Sequence, residues 1–107
     1  MPNGIWASGK LQKKYFIEGY RIFSHEKKLE IRAPFPMRGR PDIVFEHVES
    51  GELLTGEMKV RTRDKVYPSD VVQLSAGRML VAGAYPNKKV SDKGVMLLHM
   101  SGQTHKV

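Results

Sequence analysis

The chain has 107 residues, 40% of them hydrophobic, so its length and composition suit one small domain with a modest core. It contains no cysteine, which excludes disulfides, iron–sulfur clusters and cysteine-ligated zinc, and no segment has the ~20 apolar residues of a membrane span. Its 18 Lys and Arg residues exceed its 11 Asp and Glu residues, which gives a formal net charge of +7.

This positive charge favours a phosphate-rich partner such as nucleic acid, because each Lys or Arg that contacts a phosphate releases condensed counterions. A basic surface that serves solubility alone is the alternative. The residues after Met1 do not form a basic segment followed by an apolar run, so no signal peptide is expected. Together with the lack of cysteine, this predicts a cytoplasmic protein that is not bound to membranes.

In the first part of the chain, residues 8–19 are predicted to form a short basic helix that Gly19 ends. Two strands follow at residues 20–23 and 29–32, joined by a charged turn. The proline-rich stretch 34–41 is predicted to be a loop.

A β-hairpin is predicted next, from two β-rich runs at residues 42–48 and 52–61 that flank the turn dipeptide Ser50-Gly51. With the turn at this dipeptide, Asp42 would lie opposite Lys59 and Val44 opposite Glu57. Side chains alternate between the faces of a strand, so one face collects three polar groups at one end of the hairpin. The other face is predicted to be core and carries Ile43, Phe45, His47, Leu54, Gly56, Met58 and Val60.

The last predicted elements are a helix and a strand. Ser69 is the expected N-cap of the helix, Asp70 lies in its first turn, and an apolar stripe continues to about Ala84. The strand is expected at residues 94–98. This element order predicts the α/β class with a mixed β-sheet.

The hairpin carries a motif: Pro41-Asp42 is followed, fifteen positions after the aspartate, by Glu57-Met58-Lys59. This pattern resembles the PD-(D/E)xK motif of restriction-endonuclease-like nucleases, and is most similar to the RecB-like and CRISPR-associated exonuclease branch. In that branch a glycine precedes the first acid and a glutamine lies in the following helix, and Gly39 and Gln73 match these positions. The resemblance covers roughly residues 29–100. It implies that residues 1–107 form a single nuclease-like domain with a restriction-endonuclease-like core, a mixed sheet flanked by helices.

The motif residues suit phosphodiester hydrolysis, and the expected substrate is DNA. Asp42 and Glu57 offer the hard carboxylate oxygens that Mg²⁺ or Mn²⁺ prefers, and Lys59 can position or deprotonate a water. The resemblance adds the backbone carbonyl of Met58 as a third metal ligand and Gln73 as a catalytic residue. The alternative is a solvated cross-strand ion pair among the three charged residues, which would contribute only ~0.2–1 kcal/mol.

The sequence also departs from the related branch. A tyrosine usually lies four residues after the glutamine, where this chain has Gly77. The cluster-binding cysteines are missing, so no iron–sulfur cluster is expected. Candidates for an additional upstream acid or histidine of that branch are Glu18, His25 and Glu30, although each also reads as a surface residue.

Five basic residues near the motif are candidates for phosphate contacts, although a solvated loop face is the alternative: Arg38, Arg40, Arg61, Arg63 and Lys65. A short chain contacts only a limited length of duplex, so a homo-oligomer is expected, with a dimer presenting two active sites to two strands. Two other functions stay open. One is a non-catalytic nucleic-acid-binding or assembly module on the same fold, and the other is a small basic structural protein, such as a ribosome-associated or phage-assembly factor.

Overall fold

The computed structural model describes residues 17–59, 66–98 and 103–106 of the chain. Most of the predicted helix at residues 8–19 lies outside these ranges, and residues 18–19 form a turn that leads into the first strand. The elements of the described part are, in chain order, β1 (Tyr20–His25), β2 (Leu29–Ile31), β3 (Met37–Gly39), β4 (Ile43–His47), β5 (Leu53–Lys59), α1 (Pro68–Ala84), β6 (Val90–Leu98) and β7 (Gln103–Lys106).

Five strands form one mixed sheet in the order β1-β4-β5-β6-β7. β5 and β6 are parallel, whereas the other neighbouring strands are antiparallel. A parallel pair needs a crossover connection, and α1 provides it between β5 and β6. The predicted α/β class with a mixed sheet is therefore confirmed. The described ranges contain one helix beside the sheet rather than several, and β7 is a strand that the sequence pattern did not indicate.

The hairpin of β4 and β5 forms with a register two residues away from the predicted one: Ile43 lies opposite Gly56 and Val44 opposite Thr55. The predicted pairs Asp42–Lys59 and Val44–Glu57 are therefore wrong. The connection is a four-residue turn rather than a two-residue one, because the backbone N–H of His47 donates to the carbonyl of Glu52 at 2.8 Å. A shift of two residues leaves every side chain on its predicted face, since the period of a strand is two.

Both faces of the sheet are buried, although only one was predicted to be core. The face away from α1 holds a buried cluster that includes Ile43, Phe45 and Leu54 of the predicted core face. Residues of β1 and β6 complete this cluster, namely Ile22, Val95 and Leu97. On the opposite face, Phe23, Val44 and Leu53 of the sheet are buried. They pack against Leu29 and Ile31 of β2 and against Leu80 and Val81 of α1. The polar end of the hairpin therefore lies beneath a helix and not on an open sheet surface.

A two-stranded ribbon forms where a loop was predicted. Met37–Gly39 is strand β3, which pairs antiparallel with β2, while β1 pairs with β4. The strands at residues 20–25 and 29–31 were correctly placed but do not pair with each other. The ribbon docks on α1 at Gly83, where a Cβ atom would lie 2.8 Å from the Ile31 side chain. This close contact buries the apolar side of the ribbon.

The helix α1 begins one residue before the predicted cap, so the assignment of Ser69 as N-cap is wrong. Tyr67 is the N-cap and Pro68 occupies the first turn, a position where the missing N–H of proline costs nothing. The Asp70 carboxylate accepts a 2.8 Å hydrogen bond from the backbone N–H of Tyr67. The helix ends at Ala84 as predicted, and β6 starts four residues before the predicted strand. Within the described ranges, no helix has both the length and the apolar character needed to cross a membrane.

Candidate active site

Asp42 lies immediately before β4, at the N-terminal end of this interior strand of the sheet. Its Oδ2 atom accepts a 2.8 Å hydrogen bond from the backbone N–H of Met58 on β5. Its carbonyl oxygen accepts a 2.9 Å hydrogen bond from the backbone N–H of Glu26, in the turn after β1. Backbone and side chain are thus fixed from two neighbouring strands, and the carboxylate faces the end of β5.

Glu57 lies next to Asp42 and is only 6% exposed. Burial raises the pKa of the Glu57 carboxyl from its ordinary value of 4.5 to about 7, and the negative charge of Asp42 adds to this effect. The two carboxyl groups also interact by a hydrogen bond. The register of β4 and β5 and the alternation of side chains place Asp42 and Glu57 on the same sheet face, which is the arrangement that the sequence pattern predicts. Glu57 therefore holds its proton to a higher pH than an ordinary glutamate does.

Lys59 follows on the same face of β5, two residues after Glu57. Its side chain is half-buried, and its positive charge acts against the rise in the pKa of Glu57. The ammonium group therefore lies close enough to the carboxyl group of Glu57 to interact with it electrostatically.

Gln73 completes the group from α1: its Nε2 atom donates a 2.6 Å hydrogen bond to Oε1 of Glu57. One helical turn of four residues advances ~6 Å, and two residues of a strand advance ~6.6 Å. Gly77 lies over Thr55. One helical turn before Gly77 is Gln73, and two residues after Thr55 is Glu57. This match places Gln73 above Glu57, as expected from the sequence.

Asp70 also lies at the site, although the sequence does not indicate it, because an aspartate in the first turn of a helix is already explained by its interaction with the helix dipole. It is 2% exposed, and its negative charge contributes to the raised pKa of Glu57. The available signal was its spacing, since Asp70 lies three residues before Gln73 and thus on the same side of α1.

A second buried glutamate on this hairpin, Glu46, has a different charge environment from Glu57. Glu46 lies on the same face and is 1% exposed, but it forms ion pairs with Arg21 at 2.8 Å and with Lys88. Burial alone would raise the pKa of Glu46, yet the hydrogen bonds from Lys88 and Arg21 outweigh burial and hold it below the ordinary value. Glu46 has two cations beside it, whereas Glu57 has two further carboxylates, Asp42 and Asp70, against Lys59.

The absence of the tyrosine expected four residues after Gln73 has a steric explanation. A Cβ atom on Gly77 would already lie 3.2 Å from the Cγ2 atom of Thr55. The helix approaches β5 too closely at this point for an aromatic side chain, and this close approach brings Gln73 within reach of Glu57.

Of the predicted phosphate contacts, Arg38 and Arg40 are exposed on and just after β3. Arg61, Arg63 and Lys65 lie outside the described residues. Of the three candidates for an upstream acid or histidine, Glu18 and Glu30 are exposed, and the Nδ1 atom of His25 lies 3.7 Å from the carboxylate of Glu26.

The donor set fits a small hard cation. Among the residues that the structure describes, no group of three or more His, Asp or Glu side chains is arranged to hold a metal ion. Asp42 and Glu57 form a carboxylate pair instead, and Mg²⁺ is commonly bound by one or two carboxylates while it keeps several waters. When both carboxyl groups are ionised, they carry two negative charges against the single positive charge of Lys59, and a divalent cation would relieve this excess.

Comparisons of the chain with protein-family models, with curated proteins and with solved structures gave no match.

Proposed function

We propose that this protein is a metal-dependent nuclease that hydrolyses phosphodiester bonds, with DNA as its substrate, on a restriction-endonuclease-like core. The observation that carries the proposal is the pair of adjoining carboxyl groups, Asp42 and Glu57, which share a buried corner with Lys59. Such a cluster is poorly compensated within the fold, and strongly perturbed carboxyl groups of this kind are concentrated at functional sites.

Each side chain has a distinct role in this proposal. Asp42 and Glu57 hold Mg²⁺ or Mn²⁺, with the Met58 carbonyl as a further ligand. The bound ion supplies Lewis acidity and lowers the pKa of a coordinated water. Lys59 orients the attacking water and offsets the negative charge that develops at the phosphate.

Gln73 acts as a positioning residue in the proposal, because its hydrogen bond fixes the orientation of the Glu57 carboxylate. The backbone N–H of Met58 does the same for the carboxylate of Asp42, and the backbone N–H of Glu26 holds the Asp42 carbonyl. Both carboxylates are thus oriented by groups that take no part in the chemistry, which limits the reorganisation needed when a cation binds.

Nucleic acid is the proposed substrate because of the net charge of +7 and the exposed Arg38 and Arg40, which lie four and two residues before Asp42. Arginine contacts to phosphates position a nucleic acid without reading its sequence. The chain therefore offers phosphate contacts beside the carboxylates that would act on a phosphodiester.

A second candidate is a non-catalytic nucleic-acid-binding module on the same fold. It is favoured by the lack of a cage of three acidic or histidine side chains in the described ranges. In that case Glu57 would keep its proton, no metal ion would bind beside it, and the basic surface alone would be functional.

Cleavage assays discriminate the two candidates. Labelled single-strand, duplex, flap and junction DNA are incubated with the protein in Mg²⁺, in Mn²⁺ and in EDTA. The nuclease proposal predicts products from at least one substrate with either metal and none in EDTA. Binding of the same substrates without products under every condition would contradict it and support the second candidate.

A further inference from the structure

The ribbon of β2 and β3, with its connection at residues 32–36, has one apolar and one charged side. Leu29 and Ile31 are buried toward α1, so the alternate residues of both strands point outward. Glu30 lies opposite Arg38, and both are exposed, as are Arg32 just after β2 and Arg40 just after β3. The outward side therefore carries three arginines and one glutamate.

A groove and an exposed aromatic ring accompany these charges. The groove has a volume of about 470 Å³ and is lined by Glu30, Ile31, Arg32, Pro36, Met37 and Arg38. Phe35, in the connection between the strands, is 50% exposed. Burying apolar surface is favourable, so a half-exposed ring leaves apolar area for a partner to cover.

The ribbon is rigidly placed beside the candidate site. A Cβ atom on Gly39 would lie 2.8 Å from the Leu80 side chain, so β3 packs against α1 without a gap. The chain then runs directly from β3 to Asp42. At no more than ~3.6 Å per residue, the Cα atoms of Arg40 and Arg38 lie within ~7 Å and ~14 Å of that of Asp42.

We propose that the outward side of the ribbon binds a single-stranded segment of nucleic acid, with Phe35 stacked on a base and Arg32 and Arg38 on phosphates. This inference rests on the proposed function in one respect, namely that the strand leads to the carboxyl pair. The occupant is assigned by charge, since an anionic polymer complements three arginines and a net charge of +7. The exposed ring of Phe35 indicates a single strand rather than a duplex, because only an unpaired base offers its face for stacking on a side chain.

The test is a binding assay in EDTA, where no cleavage occurs. Fluorescence anisotropy gives the Kd of the parental protein and of Phe35→Ala for a labelled single-stranded oligonucleotide, its abasic counterpart and a duplex. Base stacking predicts that Phe35→Ala weakens binding of the normal oligonucleotide roughly 5- to 100-fold. Binding of the abasic strand and of the duplex should be unchanged, because neither presents a base to the ring.

Val72→Ala is the matched control, since Val72 is an apolar residue of α1 that is 69% exposed. It should bind all three oligonucleotides like the parental protein. Arg32→Gln and Arg38→Gln should weaken both the normal and the abasic strand and should each reduce the salt dependence of log K by about one. Thermal denaturation confirms that each variant folds.

Three results would overturn the inference: Phe35→Ala binding the normal strand at parental affinity, an equal loss for the normal and the abasic strand, or no single-strand binding by the parental protein. Failure of the proposed function gives a different pattern, because cleavage would be absent while the effect of Phe35→Ala on binding persists. Glu57→Gln, which the proposal makes inactive, should retain the parental Kd.

Discussion

The amide of Gln73 donates a 2.6 Å hydrogen bond to the carboxylate of Glu57 and so connects α1 to the end of β5. The donor restricts the orientation of the carboxylate and partly offsets the cost of its burial. This contact joins residues 16 positions apart, and it depends on the close approach of the helix at Gly77.

Gln73→Ala should lower kcat for DNA cleavage roughly 10- to 100-fold, because a hydrogen bond to a charged group contributes about 1.5–3 kcal/mol. The fold should be retained, since Gln73 is at an exposed position of α1. Ser75→Ala, at an exposed position two residues later on α1, is the control and should cleave at the parental rate. Equal rates for both variants would show that the contact has no part in the reaction.

Substitutions of Asp42 and of Lys59 should differ in their effects on metal binding. Asp42→Asn keeps an oxygen that can accept the Met58 N–H but removes a charged ligand, so Mn²⁺ affinity and cleavage should fall together. Lys59→Ala keeps both carboxylates, so Mn²⁺ should still bind while cleavage slows by about 10²–10⁴-fold.

Calorimetric Mn²⁺ titration and cleavage kinetics measure these two effects on the same preparations. Lys89→Ala is the control for the lysine variant, because the Lys89 side chain is 86% exposed. A Lys59→Ala protein that cleaves like Lys89→Ala would remove the lysine from the proposed site.

The raised pKa of Glu57 predicts that the protein loses stability as the pH rises. The folded state keeps the proton up to a pH of about 7, whereas the unfolded chain releases it near the ordinary value of 4.5. Between these values the folded state binds more protons, so the free energy of unfolding falls with increasing pH. Burial of the ionised carboxyl beside Asp42 is the physical cause.

Urea denaturation in EDTA at pH 5 and pH 8 measures this effect by comparing the parental protein with Glu57→Gln. The variant has no proton to lose at this position, so its stability should fall less between the two pH values. Mg²⁺ added at pH 8 should restore stability to the parental protein and not to the variant. An identical pH dependence of both proteins would contradict the assigned protonation.

Gly56→Ala should destabilise the protein and disturb the site next to it. An added Cβ atom would lie 2.7 Å from the Cγ2 atom of Ile43 and 3.3 Å from the side chains of Phe45 and Val95. Overpacking of this kind costs about 1–3 kcal/mol. Urea unfolding measures the loss, and reduced cleavage at temperatures where the variant stays folded would show that Glu57 has moved. Parental stability would mean that β4 and β5 can separate without cost.

Features that depend on local periodicity could be predicted from the sequence. The alternation of side chains placed Asp42, Glu57 and Lys59 on one face, and this placement survived an error of two residues in the register because two is the period of a strand. The end of α1 followed from the apolar stripe and the proline after it. The position of Gln73 in the helix after the Glu57-Met58-Lys59 motif was sufficient to predict that it lies near Glu57.

Features that depend on tertiary contacts could not be predicted. The prolines on both sides of residues 37–39 indicated a loop, yet Met37 and Ile31 pair because both face α1. Asp70 satisfied a local rule for helix starts, and its proximity to Glu57 became visible only once the helix lay on β5. The pairing of β1 with β4 joins residues that are 18 to 27 positions apart, a separation over which the sequence carries no pairing signal.

The central claim is tested most directly by the Mg²⁺-dependent cleavage rate of labelled DNA for the parental protein, Glu57→Gln and Glu49→Gln under single-turnover conditions. Both substitutions remove one carboxylate in the same way, but Glu49 is exposed in the turn between β4 and β5. We expect parental cleavage from Glu49→Gln and a loss of about 10²–10⁴-fold from Glu57→Gln. A Glu57→Gln protein that cleaves at the parental rate would contradict the assignment of the carboxyl pair as the catalytic centre.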